Sequence, residues 1–88
     1  MIDKPFKSET AMLDNNAQIV YNLIFQNALY SLECYIRGSN RNNVRNKTFI
    51  ENITDDEGEA EVFLHRLAKG KVFPVHIKDM VEDYFVSH

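Results

Sequence analysis

Four cations fall within eleven residues, Arg37, Arg41, Arg45 and Lys47, and no acid stands between Glu33 and Glu51. Guanidinium forks suit phosphate oxygens, asparagine amides suit base edges, and the neighbouring rings of Tyr35 and Phe49 are of the kind on which a base stacks. Four phosphate contacts alone yield mainly salt-sensitive, non-specific binding. The competing reading of the same stretch is a solvated loop that faces acids elsewhere. Those acids follow directly: Asp55, Asp56, Glu57, Glu59 and Glu61. Acids in a first helical turn complement the positive helix end, which accounts for the first three. Asp55, Asp56, Glu59 and Glu61 together form a candidate contact for a basic partner, with charge setting on-rate and selectivity more than affinity.

Catalytic and metal chemistry find less support. His65, His76 and His88 share no zinc-like spacing with one another or with Cys34. Glu61 and His65 stand one helical turn apart, but no nucleophile or oxyanion site accompanies them. Gly58 belongs to no calcium loop, because Ile53 would then occupy the first ligand position. No metal and no cofactor are expected, and an enzyme is the least favoured class. The lone Cys34 excludes an internal disulfide and reads as a small core filler in a reducing compartment.

The elements that must carry these residues are set by pattern. Eighty-eight residues with 44% apolar content, six Phe and four Tyr describe one ordered domain, 1–88. Residues 15–32 are free of charge, the length of a membrane span, yet Asn15, Asn16, Gln18, Asn22, Gln26 and Asn27 interrupt the stretch too often for hydrocarbon. The N-terminal MIDKPFKSET lacks the apolar core of a secretory signal, so a cytoplasmic protein without membrane association is expected. Residues 1–8 read as an arm containing Pro5. A long helix is predicted over 9–37, ending at Gly38; it would span about 40 Å.

On a helical wheel, Asn15, Gln18, Asn22, Gln26, Glu33 and Arg37 make one narrow polar face. Val20, Ile24 and Tyr35 lie opposite. Leu23, Tyr30 and Cys34 flank one side; Tyr21, Phe25, Leu32 and Ile36 flank the other. The apolar arc covers about two-thirds of the circumference, wider than a surface helix needs. One flank is therefore surplus to the domain and available to a partner, with Tyr21, Phe25, Leu29, Tyr30, Leu32 and Ile36 as candidate interface residues.

The segment 38–53 reads as a polar, basic connection with a short helical turn at its end. A second helix is predicted over 54–69, started by a capping box of Thr54 and Glu57. Ala60, Phe63, Leu64 and Leu67 give its apolar stripe. A third is predicted over 74–86, opening on Pro74 at the first helical position, with Ile77, Met80, Val81, Tyr84 and Phe85 at helical spacing. The fold class expected is all-α: a small bundle of three helices, or four with the turn near 48–53, built on the long first one.

Charge is unevenly shared. Residues 1–47 carry six basic and four acidic groups, residues 48–88 four and nine, giving +2 and −5. A net charge of −3 does not favour a general nucleic-acid binder. The function expected is therefore a non-enzymatic interaction module that self-associates or acts as inhibitor or adaptor of a protein partner. A small viral or plasmid accessory protein fits that size and composition. The alternatives are an RNA- or DNA-binding helper using 37–47, and an acidic inhibitor or nucleic-acid mimic presenting 55–61.

Overall fold

The computed structural model describes residues 5–14, 16–38 and 44–86. Its order is four strands followed by two helices: β1 (Lys7–Met12), β2 (Gln18–Gln26), β3 (Leu29–Arg37), β4 (Val44–Thr54), α1 (Glu57–Lys69) and α2 (Pro74–Val81), with a π-helical turn at Glu82–Val86. The strands form one antiparallel sheet in the order β1-β2-β3-β4. This is an α+β fold. The all-α bundle and its long helix over 9–37 do not form; that stretch is three strands, and most of the connection expected over 38–53 is the fourth.

The correction has a physical reason. A spacing of four residues lies on one face of a helix and equally on one face of a strand. Gln18, Asn22 and Gln26 satisfy both periods, as do Glu33 and Arg37. The register decides between them: Gln18 stands opposite Arg37, Asn22 opposite Glu33 and Tyr21 opposite Cys34. Alternation then sends Ile19, Tyr21 and Leu23 of β2, and Tyr30, Leu32, Cys34 and Ile36 of β3, to a single inner face, where all seven are buried. The two flanks of the imagined wheel are thus one face of a real sheet, and its surplus apolar arc vanishes into the protein's own core. Val20, Ile24 and Tyr35, opposite the polar stripe on the wheel, share the outer face with Gln18, Asn22 and Glu33.

Local chemistry makes the strand reversals. β2 and β3 are joined by two residues, Asn27 and Ala28, at φ 54° and 66°, and Gln26 pairs with Leu29 across the turn. Positive φ at both central positions is the requirement of the type I′ hairpin, whose twist matches that of the strands. Between β1 and β2 the chain closes through Leu13 N–H to Ala17 O at 2.8 Å, with Asn16 at φ 66°. Two register shifts interrupt β4 against β3. Asn46 and Asn52, at φ 55° and 58°, occupy these bulges, and Asn52 N–H donates to Ser31 Oγ at 3.0 Å.

Both helices lie on the inner face, α1 against β1 and β2 and α2 against β3 and β4. The shortest extent of the molecule, 18 Å, accommodates one sheet and one helix layer. Ala60, Phe63, Leu64 and Leu67 of α1 and Ile77 and Val81 of α2 complete the core. Tyr84 and Phe85 close its open end, their ring centroids 5.2 and 5.1 Å from that of Phe63. Tyr21 crosses this core, and its hydroxyl donates to Val72 O at 2.7 Å, tying the sheet to the link between the helices.

The helix read over 54–69 starts two residues later than its capping box implies. Asp56, not Thr54, is the N-cap: its Oδ1 accepts from Glu59 N–H at 2.9 Å. Thr54 Oγ1 instead accepts from Asp56 N–H at 3.1 Å, in the turn that leaves β4. At the other end, Val72 N–H donates to Leu67 O and Lys71 N–H to Ala68 O, each at 3.1 Å. This is the Schellman arrangement, with Lys71 at φ 51° in the left-handed position that glycine favours. Gly70 sits one residue too early to fill it.

Candidate protein-binding surface

At the β2–β3 hairpin end of the inner face, α1 begins too far along to cover the sheet. Phe25 stands opposite Tyr30 in the register, and Phe6, just ahead of β1, folds onto both. The Phe25–Tyr30 centroids are 4.7 Å apart, Phe6–Tyr30 5.4 Å and edge-on, Phe6–Phe25 6.3 Å. Tyr30 is buried beneath the other two, which are 46% (Phe6) and 50% (Phe25) exposed. Such tilted and edge-to-face contacts hold each ring in place beyond the area they bury.

The acidic residues meet the aromatics here. Tyr30 pairs with Thr54, so Asp55, Asp56 and Glu57 follow immediately beside it. Tyr30 Oη makes a long contact of 3.4 Å to Glu57 Oε1. Burial first, and the Glu57 carboxylate second, raise the Tyr30 hydroxyl above its ordinary range, so it keeps its proton and acts as the donor. Asp55, Asp56, Glu57 and Glu59 are all exposed. Glu61 is drawn aside, 3.7 Å from Lys7 Nζ. The result is a pair of half-exposed phenyl rings on Tyr30, whose hydroxyl meets Glu57 among the exposed acids that lead into α1.

Of the six interface residues expected from the sequence, Tyr21, Tyr30, Leu32 and Ile36 are inside the domain. Phe25 is accessible and Leu29 partly so. The structure sets Phe25 on Tyr30, whose hydroxyl meets Glu57 and whose strand partner Thr54 leads into Asp55 and Asp56, linking what reads in the sequence as separate surfaces. Phe6 went unnoticed, assigned to an arm.

The basic residues lie elsewhere. Arg37 ends β3, seven residues from Tyr30 and thus about 24 Å away. Its guanidinium donates to Gln18 Oε1 at 2.7 Å on the outer face. Lys47 Nζ is 3.2 Å from Glu33 Oε2, and that carboxylate also accepts from Asn22 Nδ2 at 2.9 Å. Ser8 Oγ extends the row by donating to Asn22 Oδ1 at 2.7 Å. Both cations are thus tied into cross-strand polar rows beside Tyr35 and Phe49. Arg41 lies outside the described residues, and of Arg45 only the backbone position opposite Ile36 is described.

Glu61 and His65 do not pair with each other as an acid–base couple: Glu61 turns to Lys7, and His65 Nδ1 lies 3.4 Å from Glu9 Oε1 on β1. Cys34 is fully buried, and desolvation above all pushes its thiol up to about 12. Among the described residues no group of three or more His, Cys, Asp or Glu could hold a metal ion. No helix among them is long and apolar enough to cross a membrane.

A family model described as "Family of unknown function (DUF6514)" matches residues 4–87. No curated protein and no solved structure matches the chain.

Proposed function

We propose that this chain, which belongs to the DUF6514 family of unknown function, is a protein-binding module that acts by occupying or recruiting a partner. Its recognition surface in this reading is the aromatic and acidic end of the sheet. The observation that carries it is the exposure of Phe6 and Phe25 while both rings are held on Tyr30. Aromatic rings already fixed in place lose little entropy on binding, and such residues dominate the energetics of interfaces. The carboxylates of Asp55, Asp56, Glu57 and Glu59 alongside select for a positively charged neighbour. The partner that fits is a protein segment with one or two apolar side chains flanked by Lys or Arg, steered in by charge and held by ring burial.

Affinity capture from native lysate, with and without nuclease, tests this when wild type is compared with surface variants. A protein retained by wild type and by Val75→Ser, and lost with Phe6→Ser plus Phe25→Ser, is the expected result. Val75 is 74% exposed at the start of α2, away from the rings, and serves as a control. Asp55→Asn with Glu59→Gln should slow association more than it speeds dissociation. Retention of the same partner by the folded double-serine variant would refute the assignment. Retention that disappears with nuclease would point instead to nucleic acid held through the basic end.

A further inference from the structure

We infer that two copies of this chain pair through the outer edge of β1, across a two-fold axis beside Ser8, to make a continuous eight-stranded sheet. The two edges of the sheet differ. β4 is broken by the bulges at Asn46 and Asn52, which interrupt the regular spacing a neighbouring strand needs. β1 runs in unbroken register from Lys7 to Met12 against β2. Phe6 N–H donates inward to Leu23 O at 2.7 Å. Leu23 O therefore faces β1 opposite its register partner Lys7, and Leu13 N–H likewise donates inward to Ala17 O. Alternation then directs the backbone groups of Lys7, Glu9 and Ala11 toward β2, and those of Ser8, Thr10 and Met12 toward the free edge.

Charge selects the occupant and the register. With antiparallel pairing centred on Ser8, Lys7 of one copy stands opposite Glu9 of the other, and the reverse, on the helix-bearing face. Ser8 has the outward backbone groups, so the two copies of Ser8 exchange both hydrogen bonds across the axis, and the flanking Lys7–Glu9 pairs are non-hydrogen-bonded ones, in which side chains stand closer. The helix above obeys the same symmetry. Lys7 contacts Glu61 and Glu9 contacts His65, so α1 runs alongside β1 with 61–65 level with 7–9. The rise per residue explains the match: four helical residues cover about 6 Å and two strand residues about 7 Å.

An axis beside Ser8 therefore passes the middle of α1, next to Val62, which is 47% exposed. The first half of α1 carries Glu57, Glu59 and Glu61, the second His65, Arg66 and Lys69. Two such helices antiparallel across the axis set acidic half against basic half. Because α1 rests on both β1 and β2, its axis lies about 5 Å from the two-fold, and the helices sit about 10 Å apart, an ordinary packing distance. Strand edge, strand charges and helix charges thus share one symmetry operator.

Native mass spectrometry and sedimentation of the purified full chain test the pairing. Wild type should be dimeric. Lys7→Glu and Glu9→Lys each place like charges opposite one another twice, and each should weaken the dimer about tenfold. The double swap, Lys7→Glu with Glu9→Lys, restores opposite charges in this register and should recover the dimer, although the contacts of both residues to α1 within one copy are altered. A monomer at every concentration up to about 1 mM would overturn the inference. So would a dimer indifferent to both single changes, or one the double swap leaves as weak as they do. A dimer lost only with Phe25→Ser would place the contact at the aromatic end, overturning the β1 pairing while leaving that end as the binding surface.

Discussion

Replacing Ala28 by glycine gives opposite results in a hairpin and in a helix. Ala28 is at φ 66° and follows Asn27 at φ 54°, in the two-residue connection between Gln26 and Leu29. A side chain with a Cβ in this left-handed region costs about 1–2 kcal/mol, because the Cβ crowds the following carbonyl oxygen. Glycine removes that cost but brings back about 0.5–1 kcal/mol through the freedom it adds to the unfolded chain. The difference leaves Ala28→Gly more stable by about 0.5–1 kcal/mol. For a domain of this size that raises the thermal midpoint by about 2–8 °C. In the middle of a helix the same change would cost about 1 kcal/mol. Circular dichroism during thermal and urea unfolding measures it, with the urea midpoint moving up at unchanged slope. A fall in both midpoints would refute the turn and the sheet register that depends on it.

Other consequences follow from the same structure. Lys71→Gly relieves the remaining left-handed position at the end of α1 and should add about 0.5–1 kcal/mol, read as a higher urea midpoint. Tyr21→Phe leaves Val72 O without its donor and should cost about 1–2 kcal/mol with the core otherwise intact. Burial raises the Cys34 thiol to about 12 and lifts the Tyr21 hydroxyl as well. In both cases the folded state holds a proton that the unfolded chain releases. Their contribution is therefore fully present below about pH 8.5 and is lost as pH rises toward the folded values, by up to about 1.4 kcal/mol per pH unit for each group. Urea midpoints measured from pH 8 upward should fall, and Cys34→Ala should remove the part of the decline that begins near pH 9. Alkylation of native Cys34 should be slow at neutral pH and become fast only when urea unfolds the chain.

Much of the solvent-facing side of the molecule was legible without coordinates, for a reason that also concealed the fold. Gln18, Asn22, Gln26, Glu33 and Arg37 share a face whether the stretch coils or extends. The apolar residues between them carry no such agreement. Tyr21, Leu23 and Phe25, or Leu32, Cys34 and Ile36, are neighbours on a strand and fall on separate flanks of a helix. The hairpin that would have decided the matter is written Asn-Ala, without the glycine that usually marks a type I′ turn. Asn46 and Asn52 similarly hide two bulges in what looked like a polar connection. The proposed binding surface is hidden in the same way: 30 residues of sequence separate Phe25 from Asp55, and the pairing of Tyr30 with Thr54 is what links their neighbourhoods.

The sequence by itself determined the local part: where α1 and α2 lie to within a turn, which of their faces is apolar, and the separation of basic from acidic halves. Those features depend on contacts three or four residues apart, so neighbouring residues specify them. Tertiary structure alone decided that 7–54 is a sheet. A strand is stabilised by partners opposite it and by the layer it packs on, neither of which is nearby in sequence. The same long-range pairing turned an apparent surplus of apolar surface into a core. It also set Phe6 and Phe25, half-exposed, on Tyr30 beside the acidic start of α1, and gave β1 a regular edge.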